Sequence, residues 1–159
     1  MSNIKNINEL AEIRNELKLQ NKKVVFTNGV FDILHAGHVD YLTKAKAKGD
    51  ILIVAVNSDS SVKKIKGELR PIVPQGERAF IISSLKPVDY VVIFNEETPY
   101  EIIKKIIPDV LVKGGDWPVE NIVGRDIVEA NGGKVETIEF INDRSTTNII
   151  KTVLERFKK

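Results

Sequence analysis

The sequence predicts an α/β fold, a doubly wound parallel sheet of five strands with helices on both faces. Two observations carry that prediction. Five short apolar or β-branched runs alternate with stretches of helical periodicity along the chain. The strongest run, "ILIVAVNS" (51–58), opens with six apolar residues in a row. That is too uniform for a strand with one wet face and too short for a membrane span, and it suits a strand covered on both sides. Strands joined through helices in this way cross over right-handedly into one parallel sheet.

The elements follow in order. A first helix over about 6–19 opens with a capping box, Asn6 and Glu9, and carries Leu10, Ile13 and Leu17 on one face. "KKVVFTNG" reads as a buried strand, and "HVDYLTKAKAKG" as a helix that Gly49 ends in a left-handed conformation. After the second strand, Lys63, Lys64, Lys66 and Arg70 are expected in a glycine-containing loop. "PQGERAFIISSL" is a helix stopped before Pro87, and "YVVIF" the third strand. "TPYEIIKKII" is a helix with Thr98 as cap and Pro99 at its first position, and "DVLVKGG" the fourth strand. "VENIVGRDIVEANGG" is helical with an interruption near Gly124, and "KVETIEF" is the fifth strand. The last helix, "STTNIIKTVLERFKK", is capped by Ser145 and lines up Ile149, Ile150, Val153, Leu154 and Phe157.

Composition narrows the function classes. The 159 residues suit one domain, 1–159, with 42% hydrophobic and 29% charged residues. Cysteine is absent, which excludes disulfides and thiolate metal sites and points to the cytoplasm. The polar N-terminus lacks the apolar segment of a signal peptide. A net charge of +2 with interleaved signs gives no support for nucleic-acid binding, and no run is long enough for a membrane span.

The two histidines of the chain, His35 and His38, sit three apart in "FTNGVFDILHAGHVDYL" (26–42). That spacing puts both imidazoles on one face of a helix. They fall at the start of the helix after the first strand, where backbone N–H groups and the helix dipole favour anions. Open α/β sheets bind ligands at the carboxyl ends of their strands, so the pair is expected to form a polyphosphate site. Gly29 is expected to let the chain turn where a side chain would block a ligand, and Gly37 leaves room between the imidazoles. A zinc site is the rival reading, but beyond Asp32 and Asp40 nothing nearby has ligand spacing, and no metal-ligating residues are assigned.

"GVFDILHAGH" resembles the His-x-Gly-His signature of the nucleotidyltransferase superfamily that includes the cytidylyltransferases, pantetheine-phosphate adenylyltransferase and class I aminoacyl-tRNA synthetases. The resemblance extends over roughly residues 21–157 through "VAVNSDSSVKKIKG", "RPIVPQGERA", "VDYVVIF", "PDVLVKGGDW" and "RSTTNII", in that order. Within the superfamily the set is most similar to the D-glycero-β-D-manno-heptose 1-phosphate adenylyltransferase family. That resemblance implies a Rossmann-like sheet of the nucleotidyltransferase type and transfer of the adenylyl group of ATP to a sugar 1-phosphate. ADP-heptose and pyrophosphate would be the products, feeding bacterial surface polysaccharide. It implies Mg²⁺ carried in on the triphosphate, few protein ligands for it, and a homo-oligomer, a dimer by analogy. Members are often fused to a sugar kinase, and with no kinase-sized segment a stand-alone form is expected here.

The resemblance also implies roles. His35 and His38 would contact the triphosphate, with Thr27, Asn28, Gly29 and Phe31 lining the same pocket. Loop lysines, Lys63 or Lys66 among them, would close over the phosphates, and Arg78 in the Glu-Arg pattern would bind phosphate. Lys113 at a strand end is a further phosphate candidate. Gly114 and Gly115 suggest close backbone approach to a ligand or a tight turn, Asp116 could hold a hydroxyl or a nucleotide group, and Trp117 could stack on ligand or cover the site. Ser145, Thr146 and Thr147 match the segment that meets the triphosphate. The Arg-Thr-x-x-Ile pattern that precedes it in cytidylyltransferases is missing, and Arg144 stands directly before Ser145.

Two other readings stay open: a cytidylyltransferase acting on glycerol 3-phosphate or another alcohol phosphate, and a nucleotide-binding module without turnover. A redox dinucleotide fold is disfavoured because no Gly-x-Gly-x-x-Gly follows the first strand, and the kinase phosphate loop is absent too. Catalysis of the expected kind needs no nucleophilic side chain, only positioning and charge stabilisation.

Overall fold

The structure, a computed structural model of the chain, describes residues 3–115, 117–140 and 145–158. Among them, five strands form one all-parallel sheet in the order β3-β2-β1-β4-β5: β1 (Val24–Gly29), β2 (Ile51–Asn57), β3 (Tyr90–Phe94), β4 (Val110–Gly114) and β5 (Lys134–Ile138). The order reverses between β1 and β4, which places the switch-point crevice at their carboxyl ends. The expected α/β, doubly wound, Rossmann-like architecture is therefore present. At the other edge, Ile4 bridges to Val91, and Lys5 donates its backbone N–H to the Val91 carbonyl.

Each face of the sheet has its own core. Val25, Leu52, Val54, Val56 and Val112 pack under α2 (Ala36–Lys46) and α4 (Gln75–Ser83) through Leu42, Ala45, Ala79 and Ile82. Val24, Phe26, Ile53, Ala55 and Leu111 pack on the opposite face against α1 (Ile7–Leu19), α5 (Tyr100–Ile106) and α6 (Arg125–Ala130), through Leu10, Ile103 and Val128. Strand β2 is thus buried from Leu52 to Asn57, as its unbroken apolar run requires. Burying each large side chain contributes about 1.5–3 kcal/mol.

Helix α1 has the capping box at Asn6 and Glu9. Its buried Arg14 donates to the carbonyls of Ile106 and Ile107 and to Asp109, whose other carboxylate oxygen accepts the Val24 N–H. One side chain thereby ties α1 to the end of α5 and the start of β1.

Four local expectations are corrected. Gly49 does not cap α2 in the left-handed region, since the helix ends at Lys46 and Gly49 is absent from the positive-φ residues. A Cβ there would lie 2.8 Å from both the Lys23 carbonyl oxygen and Val25 Cγ2, so close packing explains the glycine. The lysines after β2 lie on a helix, α3 (Asp59–Lys66), capped by the Ser58 hydroxyl and ended at Gly67 with φ +94°. Helix α5 begins one residue later than expected, with Pro99 as its cap. Helix α7 (Thr146–Phe157) has the predicted Ser145 cap but buries none of its side chains, and Val153, Leu154 and Phe157 are exposed. The interruption at Gly124 is present, with φ +87° between a 3-10 turn (Val119–Asn121) and α6. Among the described residues no helix is long and apolar enough to cross a membrane.

Candidate functional site

Two cavities meet at the carboxyl ends of β1 and β4 and share Asn28, Gly29, Val30, Lys66, Lys113 and Trp117. The first, about 350 Å³, is completed by Phe31, Asp32, His38, Arg70, Phe140 and Ser145–Thr147. The second, about 360 Å³, is completed by Asn57, Glu97–Pro99, Ile122 and Val123 together with Ile65, Leu111 and Asn121.

The first cavity collects two helix N-termini. His38 occupies the first turn of α2, and Ser145 caps α7, so both positive dipole ends converge on one space. The His35 and His38 rings stack with centroids 3.8 Å apart at 26°. The His35 backbone N–H donates to His38 Nδ1 at 3.4 Å. Burial first, and then the neighbouring His35, lower the His38 pKa from 6.5 to about 4. The ring is therefore neutral at physiological pH, and with Nδ1 accepting, its proton belongs on Nε2. His38 presents a hydrogen-bond donor without carrying a full charge.

That depressed pKa makes a prediction. Between pH 6.5 and about 4 the unfolded chain binds the proton that folded His38 refuses. His38 therefore adds a loss of stability as pH falls through that window and none above it. The urea midpoint should drop on acidification from pH 7 to 4.5, and His38→Asn should flatten part of that slope. An identical slope in the variant would show that other groups set it.

Phe31 holds the pair from below. Its ring meets His38 edge-on at 5.3 Å and 67°, and its backbone sits at φ +49°, a strained position for a bulky residue. The same ring accounts for Gly29, where a Cβ would stand 2.9 Å from Phe31 Cε2. The glycine makes room for a neighbour in the chain. Gly114 follows the same rule, since a Cβ there would collide with Phe140, whereas Gly115 turns the chain at φ +93°.

Beneath the cavity runs a buried polar framework that the sequence did not announce. Asp32 accepts the backbone N–H groups of Ile72 and Val73 and the Arg70 guanidinium. Burial alone would raise its pKa, but the Val73 and Ile72 N–H groups and Arg70 outweigh it and hold the carboxyl below the usual value. Arg78 donates to the carbonyls of Val73 and Val30 and to the Asp59 carboxylate, with its side chain fully enclosed. These two networks fasten the β1–α2 loop, which carries the histidines, to the segment between α3 and α4.

The remaining candidates divide. Lys66 and Lys113 come together at the seam between the cavities, where burial and then the Lys66 charge lower the Lys113 pKa. Two ammonium groups held this close suit an anion between them. Asn28, Gly29, Phe31, His38, Trp117, Ser145, Thr146 and Thr147 line the first cavity as expected. Among these, the Thr146 hydroxyl already donates to the Ile33 carbonyl and the Ser145 hydroxyl accepts the Asn148 N–H.

Five expected residues are not brought to a cavity wall, Gly115, which turns the chain just past β4, among them. Thr27 is in the core with its hydroxyl 2.6 Å from that of Tyr41. Lys63 is turned to Glu68 at 3.8 Å, because its place on α3 sets it one turn away from Lys66. Arg78 is enclosed with its donors committed, so its expected phosphate contact gives way to a positioning role. His35 supports His38 by stacking and lines neither cavity. Asp116, and Arg144 before the last helix, lie outside the described residues. Sequence reading missed Asn57, Glu97, Asn121 and Phe140, though Asn57 shares with Lys113 the signal of a polar residue closing an apolar strand.

Comparison with known proteins agrees with this geometry. The model of the cytidylyltransferase-like family matches residues 26–152, from β1 into α7. The chain is 53% identical over 154 residues to the bifunctional protein HldE of Geobacter metallireducens, covering 97% of this chain and 31% of the relative. It is 53% identical over 157 residues to HldE of Aliarcobacter butzleri, covering 99% and 32%. The chain thus spans about a third of the length of the curated relatives it matches. Among solved structures, the lipopolysaccharide core biosynthesis protein from Thermoplasma volcanium superposes with a TM-score of 0.62 at 30% identity, covering 77% of this chain and 99% of that one. Pantoate-beta-alanine ligase from Francisella tularensis, complexed with beta-gamma ATP and beta-alanine, superposes at 0.64 with 17% identity over 91% and 68%, a likeness of fold alone. With its histidines at the switch point of a 3-2-1-4-5 sheet and a family match across four-fifths of its length, the chain belongs to the cytidylyltransferase-like family.

Proposed function

We propose that the chain is a nucleotidyltransferase that moves the adenylyl group of ATP to D-glycero-β-D-manno-heptose 1-phosphate, in the cytoplasm. A phosphate oxygen of the sugar phosphate attacks the α-phosphorus, the bond to the β-phosphate oxygen breaks, and ADP-heptose and pyrophosphate result. The observation that carries the reading is the meeting of His38 on α2 and the Ser145–Thr147 start of α7 across one cavity, with Lys66 and Lys113 beside it. The His38 Nε2–H and the helix dipoles oppose the charge that builds on the triphosphate, in a place fixed before substrate arrives.

Supporting the sugar as acceptor are the HldE relatives and the Thermoplasma lipopolysaccharide core protein, together with the sequence resemblance. Among the described residues no group of three or more His, Asp or Glu could hold a metal ion. The Asp32 carboxylate, at the cavity wall, is fully taken up by Arg70 and backbone N–H groups. In this proposal Mg²⁺ is carried in on the triphosphate, as the family resemblance implies, and is bound through its phosphates. A homo-oligomeric assembly completes the proposal by analogy with the family.

Pyrophosphate release with Mg²⁺, crossing ATP and CTP against heptose 1-phosphate and glycerol 3-phosphate, tests it. Release confined to ATP with the heptose phosphate is the expected result. Release with CTP and glycerol phosphate would overturn the substrates, and folded protein that binds ATP without release in any combination would favour a module without turnover. A second check uses Trp117, which borders both cavities. Its emission should shift on saturation with ATP or sugar phosphate, whereas an unchanged spectrum would reduce it to a cover.

A further inference from the structure

A third cavity, about 390 Å³, opens at the amino ends of β1, β4 and β5, the end of the sheet opposite the histidines. Its wall carries Arg14 and Lys18 from α1, Lys22 and Lys23 from the segment before β1, and Lys134 at the start of β5. Against these five cations stands one acid, Asp109. The whole chain nets only +2, so the rest of the molecule is acidic on balance. Charge sorted in this way draws a counter-ion to one place.

Cations at this end of an α/β sheet have an ordinary task, which is to offset the negative C-terminal ends of the helices. Arg14 already performs it. Its Nε donates to the Ile106 and Ile107 carbonyls at 3.3 and 3.2 Å, and its Nη2 donates to the Ile107 carbonyl at 3.1 Å. Nη2 also meets Asp109 Oδ1 at 3.1 Å, and Asp109 Oδ2 accepts the Val24 N–H at 2.7 Å. The acid of the wall is thus occupied on both oxygens.

What remains is Arg14 Nη1. The side chain is only 9% exposed, yet Nη1 donates to no protein acceptor among the described residues and is not one of the sealed polar atoms. Its N–H groups therefore open into the cavity that Arg14 lines. A largely buried guanidinium edge calls for an acceptor, and the cavity is where one can reach it. Around it, Lys18, Lys22, Lys23 and Lys134 form no ion pair among the described residues.

We propose that this cavity binds a small anion carrying two or more phosphate groups, anchored on the Arg14 Nη1 edge and covered from the rim by the four lysines. Arginine suits the anchor because it keeps its charge when buried. Five cations around one hollow exceed what a single phosphate neutralises. A bounded cavity of this size suits a small ligand, whereas a nucleic-acid polymer needs a basic stripe. The assignment is independent of the function proposed above, since it concerns the other end of the strands.

The test is titration of the isotope-labelled chain with inorganic pyrophosphate, followed through backbone amide shifts in NMR, which reads both ends of the sheet at once. Saturable shifts are expected at Asn21, Gly132 and Lys134, separate from any at Gly29 and His38. Lys18→Glu combined with Lys134→Glu changes exposed positions outside the catalytic cavity. It should weaken the first set about tenfold or more and leave the midpoint of the second within about twofold. Inorganic phosphate should bind about tenfold more weakly than pyrophosphate. ATP then distinguishes the source: a midpoint as low as that of pyrophosphate assigns the site to a nucleotide and a higher one to free pyrophosphate, and both support a polyphosphate site. No saturable shift at Asn21, Gly132 and Lys134 would overturn the proposal, as would shifts that the double variant leaves unchanged or phosphate binding as tightly as pyrophosphate. A single-stranded oligonucleotide binding there about tenfold tighter than pyrophosphate would also overturn it, making the surface a nucleic-acid contact.

Discussion

His38→Ala lowers kcat for pyrophosphate release by about 10²–10³ and leaves the folded structure in place, the size of effect seen when one preorganised donor is removed from a site of developing charge. The expectation follows from the tautomer. With Nδ1 held by the His35 N–H, the neutral ring has its one N–H on Nε2, and alanine removes that donor without removing a charge. Because the free-enzyme pKa is only about 4, kcat/KM should show no acid limb from this group near pH 6.5. His38→Asn, which keeps a neutral donor, should recover part of the loss. Turnover close to normal in folded His38→Ala would remove the central role of the pair. His35→Ala should cost less, since its ring acts on His38 by stacking and by charge.

What the sequence made legible was set by how local its signals are. The strands were readable because a doubly covered strand needs apolar residues at every position, and "ILIVAV" allows little else. Helix α3 was not: its first turn is Asp-Ser-Ser, residues that favour caps and turns, and only Val62 and Ile65 mark its apolar side. Its amphipathic pattern spans barely two turns, so cap and loop look alike from sequence. Gly49 was seen as a special glycine for the wrong reason, because the atoms it makes room for belong to Lys23 and Val25 and not to a helix cap, whereas Gly29 makes room for Phe31 as well as lining both cavities.

The site divides in the same way. The histidines were legible because they are a rare residue type paired at a strand exit, and Lys113 because it interrupts an apolar strand at its end. Asn57, Glu97 and Asn121 are common surface residues in sequence and gain meaning only where β2, the exit of β3 and the turn before α6 come together. Asp32 was weighed only as a metal ligand. Its real partners, Arg70, Ile72 and Val73, lie 38–41 positions away, and nothing in the sequence pairs that segment with Asp32.

Arg78 shows what charge patterning cannot reveal, and its replacement carries the largest expected effect on stability. An arginine in "PQGER" reads as a cation available to phosphate, yet its guanidinium is sealed beneath the β1–α2 loop against Val30, Val73 and Asp59. Arg78→Met keeps most of the side chain's volume and removes every donor. Two carbonyls and a carboxylate then lose their partner in a place closed to water, at a cost of about 3 kcal/mol, moderated because Asp59 keeps contact with solvent. For a domain of this length that corresponds to a Tm lower by about 6–12 °C. A phosphate ligand would behave in the opposite way, with Tm unchanged and ATP affinity lost. Calorimetry and ATP titration at 15 °C, where the variant remains folded, separate the two: a lower Tm with near-parental ATP binding fits a positioning residue. An unaltered Tm with weakened binding would return Arg78 to the phosphate and require the guanidinium to leave its enclosure when ATP binds.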